Sequence, residues 1–306
     1  MMRSMYSAIS GLKAQQTMLD VTANNLANVN TIGYKSSVTT FQDALSQTVR
    51  GASAANPNGG FGGQNAAQVG LGVTIGAIAN RMGGGAMQNT GNTYDIAITG
   101  DGWMRVAQAP AAPVAATPNA PATLPAATAM NYTRAGNFAR NNEGFLVTQD
   151  GYYVMGRTEP APSPTATDCY INIPTGATNV AIGADGSISF TPPAGYSHPS
   201  PPLPAIGTDG RAIAGYVSLA NFPNEQALQH ASGNRFVANA ASGAEVIGTP
   251  STAGYGTAMG GYVEMSNVDL ATEFTNMITA QRGFQANSRV ISTGDQMLED
   301  LVNLKR

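Results

Sequence analysis

Cysteine occurs once in these 306 residues, at Cys169, which excludes an intramolecular disulfide and any multi-cysteine metal site. Histidine occurs twice, at His198 and His230, far apart and in polar or proline-rich surroundings, so the chain offers no pattern for a histidine metal centre or triad. Charge is scarce: Asp, Glu, Lys and Arg together make up 11%, under half of the roughly 25% usual in soluble proteins. The formal balance is −3, and no broad basic face is available to displace phosphate counterions, which argues against nucleic acid as a partner. No apolar run approaches the ~20 residues of a membrane-spanning helix, so membrane insertion is not expected. The opening residues MMRSMYSAISGLKAQQTMLD carry an early Arg3, but Ser and Gln interrupt every apolar run, so no cleavable secretion signal is read there. The glycine strings Gly59–Gly63 and Met82–Met87 lack the Lys-Ser/Thr of a phosphate cradle. Asp95, Asp101, Asp150 and Asp185 fall at strand ends or in Asp-Gly turns, where turn geometry accounts for them. No catalytic residue, metal ligand or cofactor is therefore expected.

What the chain does have is two ends unlike its middle. In residues 3–28, Met5, Leu12, Leu19 and Leu26 recur at seven-residue steps, with Ala8, Ile9 and Ala23 filling the same face. That spacing predicts a helix of about 40 Å. Near the other end Leu270, Met277, Phe284, Ile291 and Leu298 fall on one heptad line, flanked by Phe274, Leu301 and Leu304. Ser266 followed by Asp269 reads as a capping signature, with Lys305 and Arg306 at the negative end of the dipole. The expectation is a helix of about 38 residues. Leu12, Leu19 and Leu26 against Met277, Phe284 and Ile291 are the expected seam of the pair.

Between them lie short β-rich runs: Val73–Ile78, Tyr94–Ile98, Trp103–Val106, Phe145–Val147, Tyr152–Met155, Val180–Ile182, Ile188–Phe190 and Ile213–Leu219. Turn dipeptides separate them at 101–102, 143–144, 150–151, 185–186 and 209–210. Residues 51–68, 107–129 and 191–205 read as irregular. The expected class is α+β: long N- and C-terminal helices paired in a coiled-coil-like inner domain, with a central antiparallel all-β domain. The expected segments are 1–33 (first helix), 34–70 (connection), 71–260 (β-rich) and 261–306 (second helix). Two paired helices leave most of their apolar stripes uncovered, and copies of the same chain are the economical cover. Low charge suits a subunit contacted on many sides, because interface cores are depleted in Lys, Glu and Asp.

Residues 5–35 resemble the N-terminal signature of the bacterial flagellar rod and hook family, with its A-N-N-[IL]-A-N-x-x-T-x-G-[FY]-K core at Ala23, Asn24, Asn25, Ala27, Asn28, Thr31, Gly33, Tyr34 and Lys35. Residues 264–306 are similar to the matching C-terminal block, through Ser266, Asn267, Gln281, Arg282 and Asn287. The resemblance implies a structural, non-enzymatic subunit of a helical tube around an export channel. It implies Met5, Ile9, Leu12, Leu19, Leu26, Leu270, Phe274, Met277, Phe284, Ile291, Leu298 and Leu301 as self-assembly positions; Asn24, Asn25 and Asn28 are read as hydrogen-bonding groups between subunits, with ending the helix the alternative for Asn28, and Gly33 as a positive-φ turn. Asp269, Phe274, Thr275 and Gly283 look hook-like, so the first expectation is a subunit of the hook, the flexible joint that transmits torque. Distal rod is the alternative, and an extracellular β-rich adhesin-like module the second. A hook subunit implies distal rod protein below, hook cap and hook–filament junction proteins above, and a type III export apparatus that delivers the chain outside the cell without a cleaved signal.

Overall fold

A computed structural model describes residues 2–54, 63–108, 130–160, 168–193 and 210–304. Most of the two irregular segments expected at 107–129 and 191–205 lies outside the described residues, as do Lys305 and Arg306. The class is α+β, and every strand pairing among the described residues is antiparallel. The chain divides into two compact units: Met1–Asn28 with Ser36–Arg81 and Val268–Arg306, and Val29–Lys35 with Met82–Asn267.

The first unit is built on α1 (Met2–Ala27) and α2 (Leu270–Asn303). At 34 residues α2 is about 50 Å long. Its cap is Asp269, not Ser266: the Asp269 carboxylate accepts from the Ala271 amide at 3.0 Å and the Thr272 hydroxyl at 2.8 Å. Those bonds hold the carboxyl below its ordinary range. Helix α1 ends where Asn28 turns back, its side-chain amide donating to the Asn24 carbonyl at 2.9 Å in competition with the helical ladder.

The two helices pack through their smallest residues. On α1 the buried positions are Ala8, Gly11, Ala14, Thr22 and Asn25; on α2 they are Glu273, Ala280 and Gly294. A methyl group at Gly11 would lie 2.6 Å from the Asn287 amide nitrogen, and one at Gly283 would lie 3.0 Å from Gln15 Cδ. Mid-helix glycine costs about 1 kcal/mol against alanine, a cost offset here by close backbone approach. The expected leucine seam is thus displaced: Leu12, Leu19, Leu26, Met277, Ile291 and Leu298 are half-buried at its edges, and Phe284 is exposed.

Residues 36–81, expected to be mainly a connection, form a β-ribbon in the same unit. Ser37–Asp43 pairs with Val73–Asn80, Ser46–Arg50 pairs with Ala67–Gly70, and Ser53 bridges Gln64. Val73 donates its amide to the Ser10 hydroxyl of α1 at 3.2 Å. Alternation puts Phe41, Leu45, Val49, Val69, Leu71 and Ile75 on one face and Gln42, Ser46, Thr48, Gln68 and Thr74 on the other. Phe41, Leu45, Val49, Val69 and Leu71 stay exposed, which a two-stranded ribbon cannot remedy alone.

Among the described residues the second unit is a 13-stranded antiparallel sheet plus two separate strand pairs. Its central strand, Trp103–Ala107, is buried on both faces. Met104 and Val106 join a cluster with Ile96, Leu146, Val154, Phe190 and Val217, while Trp103 joins Tyr132, Phe145, Met155 and Phe236. All eight strands read from the sequence are present, with ends shifted by a few residues, although Val73–Asn80 belongs to the ribbon of the first unit. The glycines of the five turn dipeptides all adopt positive φ. Cys169 is fully buried, and burial pushes its thiol up to about 12. A thiol reagent at pH 8 is therefore expected to label the native chain negligibly and to label one thiol once the chain is unfolded in denaturant.

Candidate assembly interface

The apolar surface left open by the helices is extensive. On α2, Leu270, Phe274, Ile278, Phe284, Val290, Met297 and Val302 are exposed, Phe274 at 49% and Met297 at 47%, as is Leu304 just past its end; on α1, Tyr6 and Ile9 are exposed. At about 100° per residue, Leu270, Phe274, Phe284 and Val302 fall on one flank of the seam, and Val290 and Met297 fall on the other. Met5 is half-buried beside Gly294, and the side chain of Leu301 lies outside the described residues. Gln281 and Arg282 are exposed. Asn287 is half-buried in the seam, where it meets Gly11. The helix face thus holds aromatic and aliphatic side chains whose burial would stabilise by about 1.5–3 kcal/mol each.

The motif residues divide between the units. Within the first, Asn25 is buried and makes two bonds to Ser37: its side-chain amide donates to the Ser37 carbonyl at 2.8 Å, and its carbonyl oxygen accepts from the Ser37 amide at 3.0 Å. The Asn25 side chain thereby stands in for a β-strand partner and starts the ribbon, an intrachain role. Ala23, Asn24 and Ala27 are exposed. Asn24 accepts from the Asn28 side chain.

Within the second unit, Gly33 has φ of +68°, and a side chain there would lie 2.5 Å from the Ala135 amide, so glycine is required on two grounds. Its amide donates to the Glu264 carbonyl at 2.7 Å. Tyr34 is buried, and its carbonyl accepts from the Asn267 amide. Lys35 is buried too, pairing with the fully buried Glu264 at 2.6 Å and donating to the Gly83 carbonyl at 3.0 Å. Burial lowers the Lys35 ammonium below its ordinary value, against the opposing pull of Glu264. Arg134 reaches the other Glu264 oxygen at 3.3 Å and lies over the Trp103 ring at 5.3 Å. Asn267 donates its side-chain amide to Gly83, while Ser266 is half-buried beside it.

Thr31 lines a cleft of about 360 Å³ with Asn30, Ile32, Asp150, Asn234 and Arg235. Its one cation is already engaged: Arg235 faces Asp150 at 3.5 Å, stacks 3.8 Å from the Tyr152 ring and donates to the Ser232 carbonyl. Among the described residues no group of three His, Cys, Asp or Glu side chains gathers to hold a metal, and no helix is long and apolar enough to cross a membrane.

Sequence reasoning passed over Glu264, Arg134 and the ribbon's apolar face. The alternation at 69, 71, 73 and 75 could have revealed the ribbon. No local pattern pairs Lys35 with a carboxylate 229 residues away.

Three family models match the chain: flagella basal body rod protein over residues 5–35, flagellar hook protein FlgE/F/G D1 domain over 123–190, and flagellar basal body rod FlgEFG protein C-terminal over 259–304. The flagellar basal-body rod protein FlgG of Bacillus subtilis is 41% identical over 307 residues, covering 100% of both chains. FlgG of Caulobacter vibrioides is 36% identical, covering 99% of this chain and 100% of its own. The flagellar hook protein FlgE of Borreliella burgdorferi is 26% identical over an alignment of 443 residues, covering 100% of both chains. Matches at both termini and across the β-rich middle lead to one conclusion: the chain belongs to the flagellar basal-body rod and hook family of structural axial proteins.

Proposed function

We propose that this chain is a subunit of the distal rod of the flagellar basal body and polymerises with copies of itself into a straight, stiff tube. The observation that carries the reading is the open apolar surface of α2 and of the ribbon, in a chain with too little charge to keep such surfaces apart. In the polymer α1 and α2 supply the coiled-coil-like inner wall around the export channel, and the ribbon at 37–80 docks on neighbouring subunits.

Rod replaces hook as the preferred reading. Relatives named as rod proteins align over their whole length with little insertion, whereas the hook relative stretches the alignment to 443 residues. The residues that looked hook-like also have general structural roles: Asp269 caps a helix, the Thr275 hydroxyl bonds back to the Ala271 carbonyl, and Gly283 lets a neighbouring helix approach. Such demands fall on any member that folds this way, so they do not separate rod from hook. Hook protein would then be the neighbour above, and the type III apparatus the exporter that delivers the chain past the cell membrane.

Cells lacking this chain are expected to assemble no distal rod and nothing beyond it, as seen by electron cryotomography of their basal bodies. A complete rod that lacks only the curved segment would reverse the assignment in favour of the hook.

A further inference from the structure

We propose that Gly33–Lys35 and Glu264–Asn267 form a two-ended latch, so that the β-sheet unit completes its fold only when both ends of the chain have reached it. The contacts are three and consecutive: Gly33 amide to Glu264 carbonyl, Asn267 amide to Tyr34 carbonyl, and Lys35 ammonium to Glu264 carboxylate. Glu264 is the centre of the device. Its side chain is 0% exposed and serves Lys35, Arg134 and the Gly85 amide, the last at 2.9 Å.

Without residue 264 the unit would hold two buried cations and an unpaired amide, a state far costlier than never having buried them. The same stretch supplies two strands. Among the described residues Thr257–Gly260 pairs as a strand with Ile96–Thr99 alone, and Tyr262–Glu264 with Met87–Asn89 alone. Arg134 links these parts, since its guanidinium also donates to the carbonyls of Ile98 and Gly100 at 3.2 and 2.8 Å. Contacts separated by this much chain carry a large closure entropy and form after local hairpins. A chain that has presented only its first 250 residues therefore has hairpins but no closed unit. The motif lysine is thus a sensor of chain completeness, and this holds whichever segment of the axial structure the protein builds.

Hydrogen exchange by mass spectrometry on the full chain tests the latch. Glu264→Gln keeps the shape of the side chain and removes its charge. Exchange is expected to quicken at least about 100-fold throughout the sheet, including the strand pair Tyr153–Arg157 with Asp168–Tyr170, which contains neither latch segment. Lys35→Met, which leaves Arg134 on Glu264, serves where that variant does not fold, and should quicken the same strands about 10-fold. Faster exchange confined to residues 83–89 and 262–267 in either variant, with the pair Tyr153–Arg157 and Asp168–Tyr170 as protected as in the parent chain, overturns the latch and leaves only a local contact.

Discussion

Phe274→Asp and Met297→Asp are each expected to leave the purified chain monomeric, and an equimolar mixture of the two to stop at dimers. Both positions are about half exposed on α2, so neither change should cost the helix more than about 0.5 kcal/mol of propensity. The effect is read between copies. A carboxylate inside an apolar contact forfeits the roughly 2 kcal/mol of burial and adds the cost of desolvating a charge. Repeated at every subunit along a polymer, that loss abolishes growth. The mixture tests the geometry. Phe274 and Met297 lie on opposite flanks of the seam, so a copy can present one flank to a neighbour below and the other to a neighbour above. Each variant then retains one working flank, and the two working flanks match each other once. Sedimentation velocity distinguishes the outcomes. Dimers formed by either variant alone would mean that a flank pairs with itself, and polymer from either alone would remove that flank from the interface.

That surface was readable from the heptads, and so was the expectation that copies of the chain cover it; where the two helices touch each other was not. The lines through Leu12, Leu19 and Leu26 and through Met277, Phe284 and Ile291 pointed to an intrachain seam, because large apolar side chains at heptad spacing are the usual knobs of a helix pair. The chain uses Ala8, Gly11, Ala14, Ala280, Gly283 and Gly294 instead, and the backbones come close enough for Gly11 to meet Asn287. Small residues carry almost no hydropathy signal, so periodicity in large side chains found the helices and misplaced their contact. Eight strands and five turns, most of them in the sheet, were legible because period-2 runs and Asp-Gly or Glu-Gly dipeptides are local features. Ser46–Arg50 and Ala67–Gly70 were hidden by the Gly/Asn/Ala-rich stretch between them. The motif could be recognised without its mechanism: Asn25 is explained by Ser37, twelve residues on, but Lys35 only by Glu264 at the far end of the sequence. The split between rod and hook was illegible for a related reason, since a helix cap and a close helix approach are marks of a shared fold.

Gly136→Ala should be among the most damaging single-methyl additions in the molecule, costing about 3–5 kcal/mol. The sequence around it, Arg134-Ala135-Gly136-Asn137, looks like an ordinary turn, and the glycine does not have the positive φ that usually explains one. The reason is space. The Ile96 amide donates to the Gly136 carbonyl at 2.9 Å, and a Cβ at 136 would drive into the Ile96 carbonyl oxygen, with Met104 Cε 3.3 Å away. Backbone cannot swing aside as the end of a lysine can, so the methyl must push the segment off Ile96–Thr99. That strand is held on its other edge by Thr257–Gly260, and its Ile96 and Ile98 side chains are buried in the core. Displacing it strands a buried amide and opens the packing around Met104. Gly83→Ala is the control, because nothing lies within 4 Å of a methyl group there. It should change the unfolding free energy from denaturant titration by no more than about 0.5 kcal/mol, a typical surface value. Equal midpoints for the two variants would mean that the chain does not bring Gly136 against Ile96, and the closing edge of the sheet would have to be redrawn.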